Sequence, residues 1–265
     1  MIQVNLLTKV YGPSSRQILD RINRSLRDLS AGLKLEAKVA GVSDRGFVQV
    51  ALEGEDKEVA LNYLRQNFGI ALSELDVTSV GKETAGKIVK AGNVGYGLYL
   101  DLGTPTSEYA DALIPLHVLR EQLVGGEGCS LRQLIRLFAL QDNIPLSVKI
   151  VEVDSERNEI TARLTDKQSK TYRRWVRSNL DRVIATGVLR ENLKRAITKT
   201  GHSRDIIRID SIGLLEHVVV CKEGTEAPGL ISSLGPFLVG VPLSTFIPAK
   251  IKAELEAHRQ EELPK

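Results

Sequence analysis

Basic side chains recur at helical spacing in one short stretch of the chain, with aromatic residues between them. Lys170, Arg173, Arg174 and Arg177 lie three or four residues apart, so a helix over this stretch places them on one face. Lysine and arginine contact phosphate oxygens, and a cationic face is typical of proteins that bind nucleic acid. The alternative is a solvated helix face without a ligand.

The positive charge of the chain is concentrated around this stretch. The 265 residues carry a net charge of only +3. Residues 165–208 alone carry 12 basic and 4 acidic side chains, a net charge of +8. This asymmetry predicts a contact between the segment and a polyanion.

The sequence contains little that indicates catalytic chemistry. The sequence has no P-loop, zinc-protease or nucleophile-elbow motif. His217 and Cys221 are four residues apart, but on a strand that separation is about 13 Å, too long for one metal ion. We therefore expect no catalytic residue, no metal and no cofactor.

The segment after Cys221 is the best remaining candidate for a small anion. A strand is predicted to end there and a helix to begin near Pro228, with Thr225 as its cap. Backbone N–H groups at Gly224 and Thr225 would then point at an anion. A capped turn without a ligand is the alternative interpretation.

The ends of the chain share one order of elements. Residues 2–69 predict β-α-β-β-α, with Ile18, Ile22 and Leu26 on one face of the first helix. Residues 182–241 repeat that order, and Phe237 to Val241 is expected to add a sixth element. Both segments therefore predict ferredoxin-like modules.

The central segment predicts a small barrel. Five strands are separated by turns, and two helical stretches lie between the third and fourth strands, which is the order of an OB fold. The basic helix follows the last strand directly. We expect Trp175, the only tryptophan, to be buried between that helix and the barrel.

Four motifs of the central segment resemble an S1 domain. They are GKIV from Gly86, GYGLYLDLG from Gly95, ALIP from Ala112 and VKIVEVD from Val148. The resemblance implies single-stranded RNA binding, with aromatic rings of the second strand stacking on bases. Those rings are Tyr96 and Tyr99, and Lys87, Lys149 and Arg163 lie on strands around the same expected face, where they would contact phosphate.

These segments together predict an α+β, multidomain protein. An S1-like OB barrel with a helical insertion spans residues 77–165 and is flanked by two βαββα (ferredoxin-like) modules. The N-terminal module spans 1–76, the basic linker helix spans 166–181, and the C-terminal module with a terminal helix spans 182–265. The whole chain also resembles an archaeal conserved family of unknown function, in stretches such as TGHSRDIIRI and LLEHVVVCKEGTEAPGLI.

A reducing, cytoplasmic location is expected. Cys129 and Cys221 are too few for a disulfide framework. The N-terminal residues lack the basic and apolar regions of a signal peptide, and the chain has no apolar run long enough to span a membrane.

The leading hypothesis is a non-catalytic RNA-binding factor in translation or transcription, with ribosomal or transcription-machinery proteins as further partners and no membrane contact. Two alternatives stay open. One is a protein-interaction adaptor that uses the barrel as a scaffold. The other is an enzyme acting on nucleotide or RNA, centred on Thr225.

Overall fold

The computed structural model describes residues 1–73, 78–104 and 111–262. Over these residues the protein is mixed α+β, with a closed five-stranded barrel and two further sheets, which confirms the prediction at that level. The expected boundary between residues 76 and 77 lies outside the described residues. No described helix combines the length and the apolar character needed to cross a bilayer.

The N-terminal domain is a three-stranded antiparallel sheet backed by two helices. Its elements are β1 (Ile2–Lys9), α1 (Ser15–Ser30), β2 (Leu35–Val42), β3 (Phe47–Gly54) and α2 (Lys57–Asn67). The strand order is β1-β3-β2. Helix α1 buries Ile18, Ile22 and Leu26, because residues four apart lie on one helical face.

The central domain is the barrel. Its elements are β4 (Glu83–Val89), β5 (Gly97–Asp101), β6 (Asp111–Pro115), α3 (Leu116–Val124), α4 (Leu131–Phe138), β7 (Pro145–Asp154) and β8 (Glu159–Leu164). The strands close in the order β4-β5-β6-β8-β7, and β6 pairs with β8 in parallel. Alternate residues such as Leu98, Leu100 and Ile150 fill the interior, so the residues between them form the outer wall.

The C-terminal domain is a four-stranded sheet that the chain reaches through a basic helix. Its elements, including that helix, are α5 (Asp166–Arg177), β9 (Arg182–Thr186), α6 (Arg190–Lys199), β10 (Ile206–Ser211), β11 (Glu216–Cys221), α7 (Ala227–Leu234), β12 (Leu243–Phe246) and α8 (Pro248–Glu262). The order is β10-β11-β9-β12. The sixth element expected at Phe237 to Val241 is wrong: Gly235–Phe237 forms a 3₁₀ turn, and the fourth strand begins at Leu243.

The C-terminal sheet separates the two basic helices. Alternate residues of its central strands, including Ile184 and Val218, pack with the barrel core and with Trp175 of α5. The residues between them, including Val183 and Val219, pack with Leu193 of α6. The basic stretch of the sequence is therefore divided between opposite sides of this sheet.

A buried polar cluster joins all three domains. Lys87 Nζ of the barrel lies 2.7 Å from Glu216 Oε2 of the C-terminal domain, and the Tyr11 hydroxyl of the N-terminal domain donates to Glu216 Oε1. Beside this cluster a Cβ on Gly12 would lie 2.9 Å from the carbonyl oxygen of Gly187. Only a glycine permits that approach, so the three domains are fitted closely together.

Candidate nucleic-acid interface

Tyr96 and Tyr99 form an aromatic pair on the outer wall of the barrel. Tyr96 immediately precedes β5 and is 58% exposed, whereas Tyr99 within the strand is half-buried. Their hydroxyl oxygens are 2.9 Å apart, and the rings meet edge to face with centroids 6.3 Å apart. The pair thus presents ring surface to solvent at a fixed geometry.

The two glycines beside Tyr96 have different roles. A Cβ on Gly95 would meet no atom of a residue beyond its chain neighbours within 4 Å, so Gly95 faces open space. A Cβ on Gly97 would lie 2.6 Å from the carbonyl oxygen of Ile114. Gly97 is therefore required for the close approach of β5 and β6.

The outer wall continues from the tyrosines toward basic residues. Tyr99 is paired with Leu113, and Leu113 with Thr161 on β8. Arg163 lies two residues beyond Thr161 and so faces the same way. Since β8 runs antiparallel to β5, Arg163 lies toward the Tyr96 end of the wall.

Lys149 and Arg163 are cross-strand neighbours on β7 and β8, and both are exposed. The Arg163 guanidinium lies 3.4 Å from Asp166 Oδ1 at the start of α5. Both side chains are thus accessible to solvent, and Arg163 lies where the outer wall of the barrel meets the basic helix α5.

Lys87 requires a correction. It does face outward from β4, but the C-terminal domain covers that part of the wall, and its side chain is 4% exposed in the ion pair with Glu216. Burial holds the pKa of Lys87 below its usual value, against the opposing charge of Glu216. Lys87 therefore has no access to an RNA phosphate.

The opposite end of the wall is acidic but largely neutralised. Asp101 accepts from Lys9 and forms an ion pair with Arg45, and Asp111 accepts from Arg45. The hydrogen bond with Tyr96, then desolvation, then nearby charges raise the pKa of Tyr99 to about 12. Tyr99 is therefore a neutral phenol at physiological pH.

Helix α5 carries an uncompensated row of cations. Lys167, Lys170, Arg174 and Arg177 recur every three or four residues and are exposed. Within the described residues none of them lies within ion-pair distance of a carboxylate. The row spans about 15 Å at the helical rise per residue. Arg173 differs, because its guanidinium donates to the carbonyl oxygen of Gln122 at 3.4 Å.

A buried arginine fixes the end of this helix, a role that no motif of the sequence indicates. Arg182, the first residue of β9, donates to the carbonyl oxygens of Trp175 and Leu180 and to Ser178 Oγ. Burial, followed by the charge of Arg208, lowers its pKa to about 10. Arg182 therefore caps the carboxyl end of α5, where a positive charge is favourable.

Trp175 lies differently from the expectation. It is half-buried and packs edge to face on Phe246 of β12, with ring centroids 5.4 Å apart. The Arg182 guanidinium lies 5.1 Å from its ring centroid. Trp175 therefore packs α5 against the C-terminal sheet as well as against the core of the barrel.

The candidate anion site at Gly224 and Thr225 is also corrected. Helix α7 begins at Ala227, and its cap residue is Glu226 rather than Thr225. The backbone N–H of Ala227 already donates to Asp181 Oδ2 at 3.1 Å. An internal carboxylate thus occupies the place predicted for an anion, and Asp181 is too distant in sequence to have been foreseen.

The remaining candidates for chemistry are satisfied structural groups. The ring nitrogens of His217 lie 3.0 Å from Ser211 Oγ and from the carbonyl oxygen of Val188. Burial raises the pKa of the Cys221 thiol to about 11, which leaves little thiolate. Among the described residues no cluster of His, Cys, Asp and Glu is suited to a metal ion.

Fold and surface together define a multidomain α+β protein built around a closed barrel. The chain belongs to the DUF2110 family: the models of the N-terminal, central and C-terminal domains of that family match residues 3–78, 78–176 and 180–245. No curated protein matches the chain.

Several solved structures match parts of the chain. An uncharacterized protein from Methanocaldococcus jannaschii is 17% identical, with a TM-score of 0.23, over 33% of this chain and 93% of that one. GSP13 from Bacillus subtilis is 22% identical, with a TM-score of 0.25, over 34% and 58%. The intact alpha subunit of aIF2 from Pyrococcus abyssi is 13% identical, with a TM-score of 0.26, over 64% and 98%.

Proposed function

We propose that the protein is a non-catalytic factor that binds single-stranded RNA along the outer wall of the barrel and helix α5. Tyr96 and Tyr99 stack on bases, and the cations that follow them contact phosphates. The observation that carries this proposal is the exposed Tyr96 ring beside Tyr99, at the end of the wall nearest Arg163. The context of translation or transcription, with proteins of those machineries as partners, belongs to the same proposal.

The proposal includes a fold: an S1-like OB barrel lies between two ferredoxin-like domains. The segment boundaries fall after residues 76, 165 and 181. Closure in the order β4-β5-β6-β8-β7, with a helical insertion after β6, supports an OB fold. The β-α-β-β-α order of both outer domains supports the ferredoxin-like interpretation. In the C-terminal domain β12 also pairs antiparallel with β9.

Stacking suits this surface because every base has a flat π-face that an exposed ring can cover. Each stacked base contributes roughly 1–3 kcal/mol to binding. The edge-to-face contact of Tyr96 with Tyr99 holds the exposed ring in place before RNA arrives. Less side-chain entropy is therefore lost on binding.

The cations of α5 supply the part of the affinity that depends on salt. Lys167, Lys170, Arg174 and Arg177 have no carboxylate partner among the described residues, so a phosphate displaces no internal ion pair. Release of counterions from RNA then favours binding. This arrangement suits a polyanion better than a neutral ligand.

Fluorescence anisotropy with a labelled single-stranded RNA, at two salt concentrations, tests the proposal. Wild type should bind with micromolar or tighter affinity at low salt. Tyr96→Ala should weaken binding by roughly 1–3 kcal/mol, whereas Tyr96→Phe keeps the ring and should retain most of the affinity. Lys170→Ala/Arg174→Ala/Arg177→Ala should weaken binding and flatten the salt dependence.

Lys194→Ala/Arg195→Ala/Lys199→Ala is the matched control, because it removes the same charge from exposed positions of α6 on the other side of the C-terminal sheet. This variant should bind RNA almost as wild type does. No binding at low salt, or equal losses in the α5 and α6 variants, would refute the proposed interface.

A further inference from the structure

A second surface lies on the side of the molecule away from α5, where the N-terminal and C-terminal domains meet. A groove there is lined by Pro13 and Gln17 of the N-terminal domain and by Val188, Ala196 and Val241 of the C-terminal domain. Both domains therefore contribute to the groove, and its lining combines aliphatic side chains with polar ones such as Ser14 and Asn192. No sequence motif indicates this groove, because its walls come from distant parts of the chain.

Two large apolar side chains stand exposed at the rim of this groove. Phe237 is 53% exposed and Val239 is 79% exposed, while Leu238 between them is buried and anchors the loop. A single exposed apolar residue is ordinary, but two that line one groove indicate an interaction surface. The groove thus offers anchoring contacts for apolar side chains of a partner.

Two basic residues also line the groove. Arg195 and Lys199 lie one helical turn apart on α6 and are exposed. In the described part of the chain neither has a carboxylate within ion-pair distance. Glu191 of the same helix lies 3.3 Å from Arg21 of the N-terminal domain, so it does not neutralise them.

We propose that this groove docks a protein segment in which acidic and apolar side chains are mixed. Phe237 and Val239 contact its apolar side chains, and Arg195 and Lys199 pair with its carboxylates. Charge complementarity selects the acidic character of the partner. The site is separate from the proposed RNA interface, because the C-terminal sheet lies between α6 and α5.

A protein segment fits this groove better than RNA does. Phe237 is the one aromatic side chain among the residues that line the groove, and the exposed Val239 beside it is aliphatic, so successive bases would find a single ring on which to stack. The amides near the floor are also engaged, since Asn192 Nδ2 donates to Gln17 Oε1 at 3.0 Å. These two amides therefore already use part of their hydrogen-bonding capacity on each other.

Anisotropy with a short fluorescein-labelled peptide that alternates Glu with Leu and Phe tests this inference on the full chain. The peptide should bind, and the same peptide with Lys in place of Glu should not. Phe237→Ser/Val239→Ser and, separately, Arg195→Glu/Lys199→Glu should each raise the Kd at least about tenfold, since truncated anchors commonly cost that much. Lys167→Glu/Lys170→Glu on α5 makes the same change of charge elsewhere and should leave the Kd unchanged.

Three outcomes would overturn the inference. The first is no binding of the acidic peptide, or equal binding by wild type and the groove variants. The second is loss of single-stranded RNA binding in the groove variants, which would assign the groove to nucleic acid. The third is a wild-type dimer in light scattering that Phe237→Ser/Val239→Ser converts to a monomer, since the occupant would then be a second copy. All substituted positions are exposed, so circular dichroism should show a retained fold.

Discussion

Lys87 and Glu216 form a buried ion pair between the barrel and the C-terminal domain. If one partner of such a pair is removed, the other charge stays buried without an opposite charge beside it. Lys87→Met should therefore destabilise the protein by about 3–5 kcal/mol. The double variant Lys87→Met/Glu216→Gln should cost less than the sum of the single changes, because it removes both charges together. Chemical denaturation of the four proteins measures the coupling; additive costs would contradict it.

The hydroxyl contact between Tyr96 and Tyr99 gives a second prediction at the scale of single residues. Tyr96→Phe removes the first cause of the raised Tyr99 pKa, so that pKa should fall from about 12 toward the usual 10. Because the pKa of Tyr99 is higher in the folded than in the unfolded protein, its protonated hydroxyl stabilises the folded state. This stabilisation is fully present below pH 10 and is lost as the pH rises through 12. A titration of ring carbon signals by NMR measures the shift, with Tyr63→Phe as the control that should leave Tyr99 unchanged.

At the scale of elements, periodicity explains what could be foreseen. The spacing of Ile18, Ile22 and Leu26 predicts α1, and the motifs around Tyr96 and Val148 predict paired strands of a barrel. For Lys87, periodicity does not predict whether the side chain is exposed. Alternation along β4 places it on the outer wall, but only the packed structure shows that Glu216 covers it. Trp175 is similar, since its partner Phe246 lies far along the chain.

Helix α5 gives a prediction that depends on the element as a whole. If its cations contact phosphates of single-stranded RNA, each removed contact should reduce the slope of log Kobs against log salt by about 0.7. Lys167→Gln, Lys170→Gln and Arg174→Gln, alone and combined, should therefore flatten the slope in proportion to their number. Arg173→Gln should change it least, because its guanidinium is held by the carbonyl oxygen of Gln122. A slope that stays constant across the series would exclude α5 from the interface.

At the scale of the whole molecule, the close fit of the domains was beyond sequence reasoning. A barrel between two sheet domains is also compatible with independent units on flexible linkers. Instead Tyr11, Lys87 and Glu216 meet from three domains, and Arg182 fixes α5 against the C-terminal sheet. The proposed RNA surface and the groove at Phe237 are thus held on opposite sides of one assembly, so binding at one leaves the other open.

Cooperative unfolding is the direct consequence of this assembly. The wild-type protein should unfold in one transition, with Trp175 fluorescence and far-ultraviolet circular dichroism coinciding. Gly12→Ala should separate the two probes, because its Cβ would lie 2.9 Å from the Gly187 oxygen and force the N-terminal domain away. Gly224→Ala is the matched control: its φ of +81° is equally unfavourable for alanine, but a Cβ there meets nothing within 4 Å. That variant should lose only about 1–2 kcal/mol and keep a single transition. Separate transitions in the wild type would show that the domains are independent.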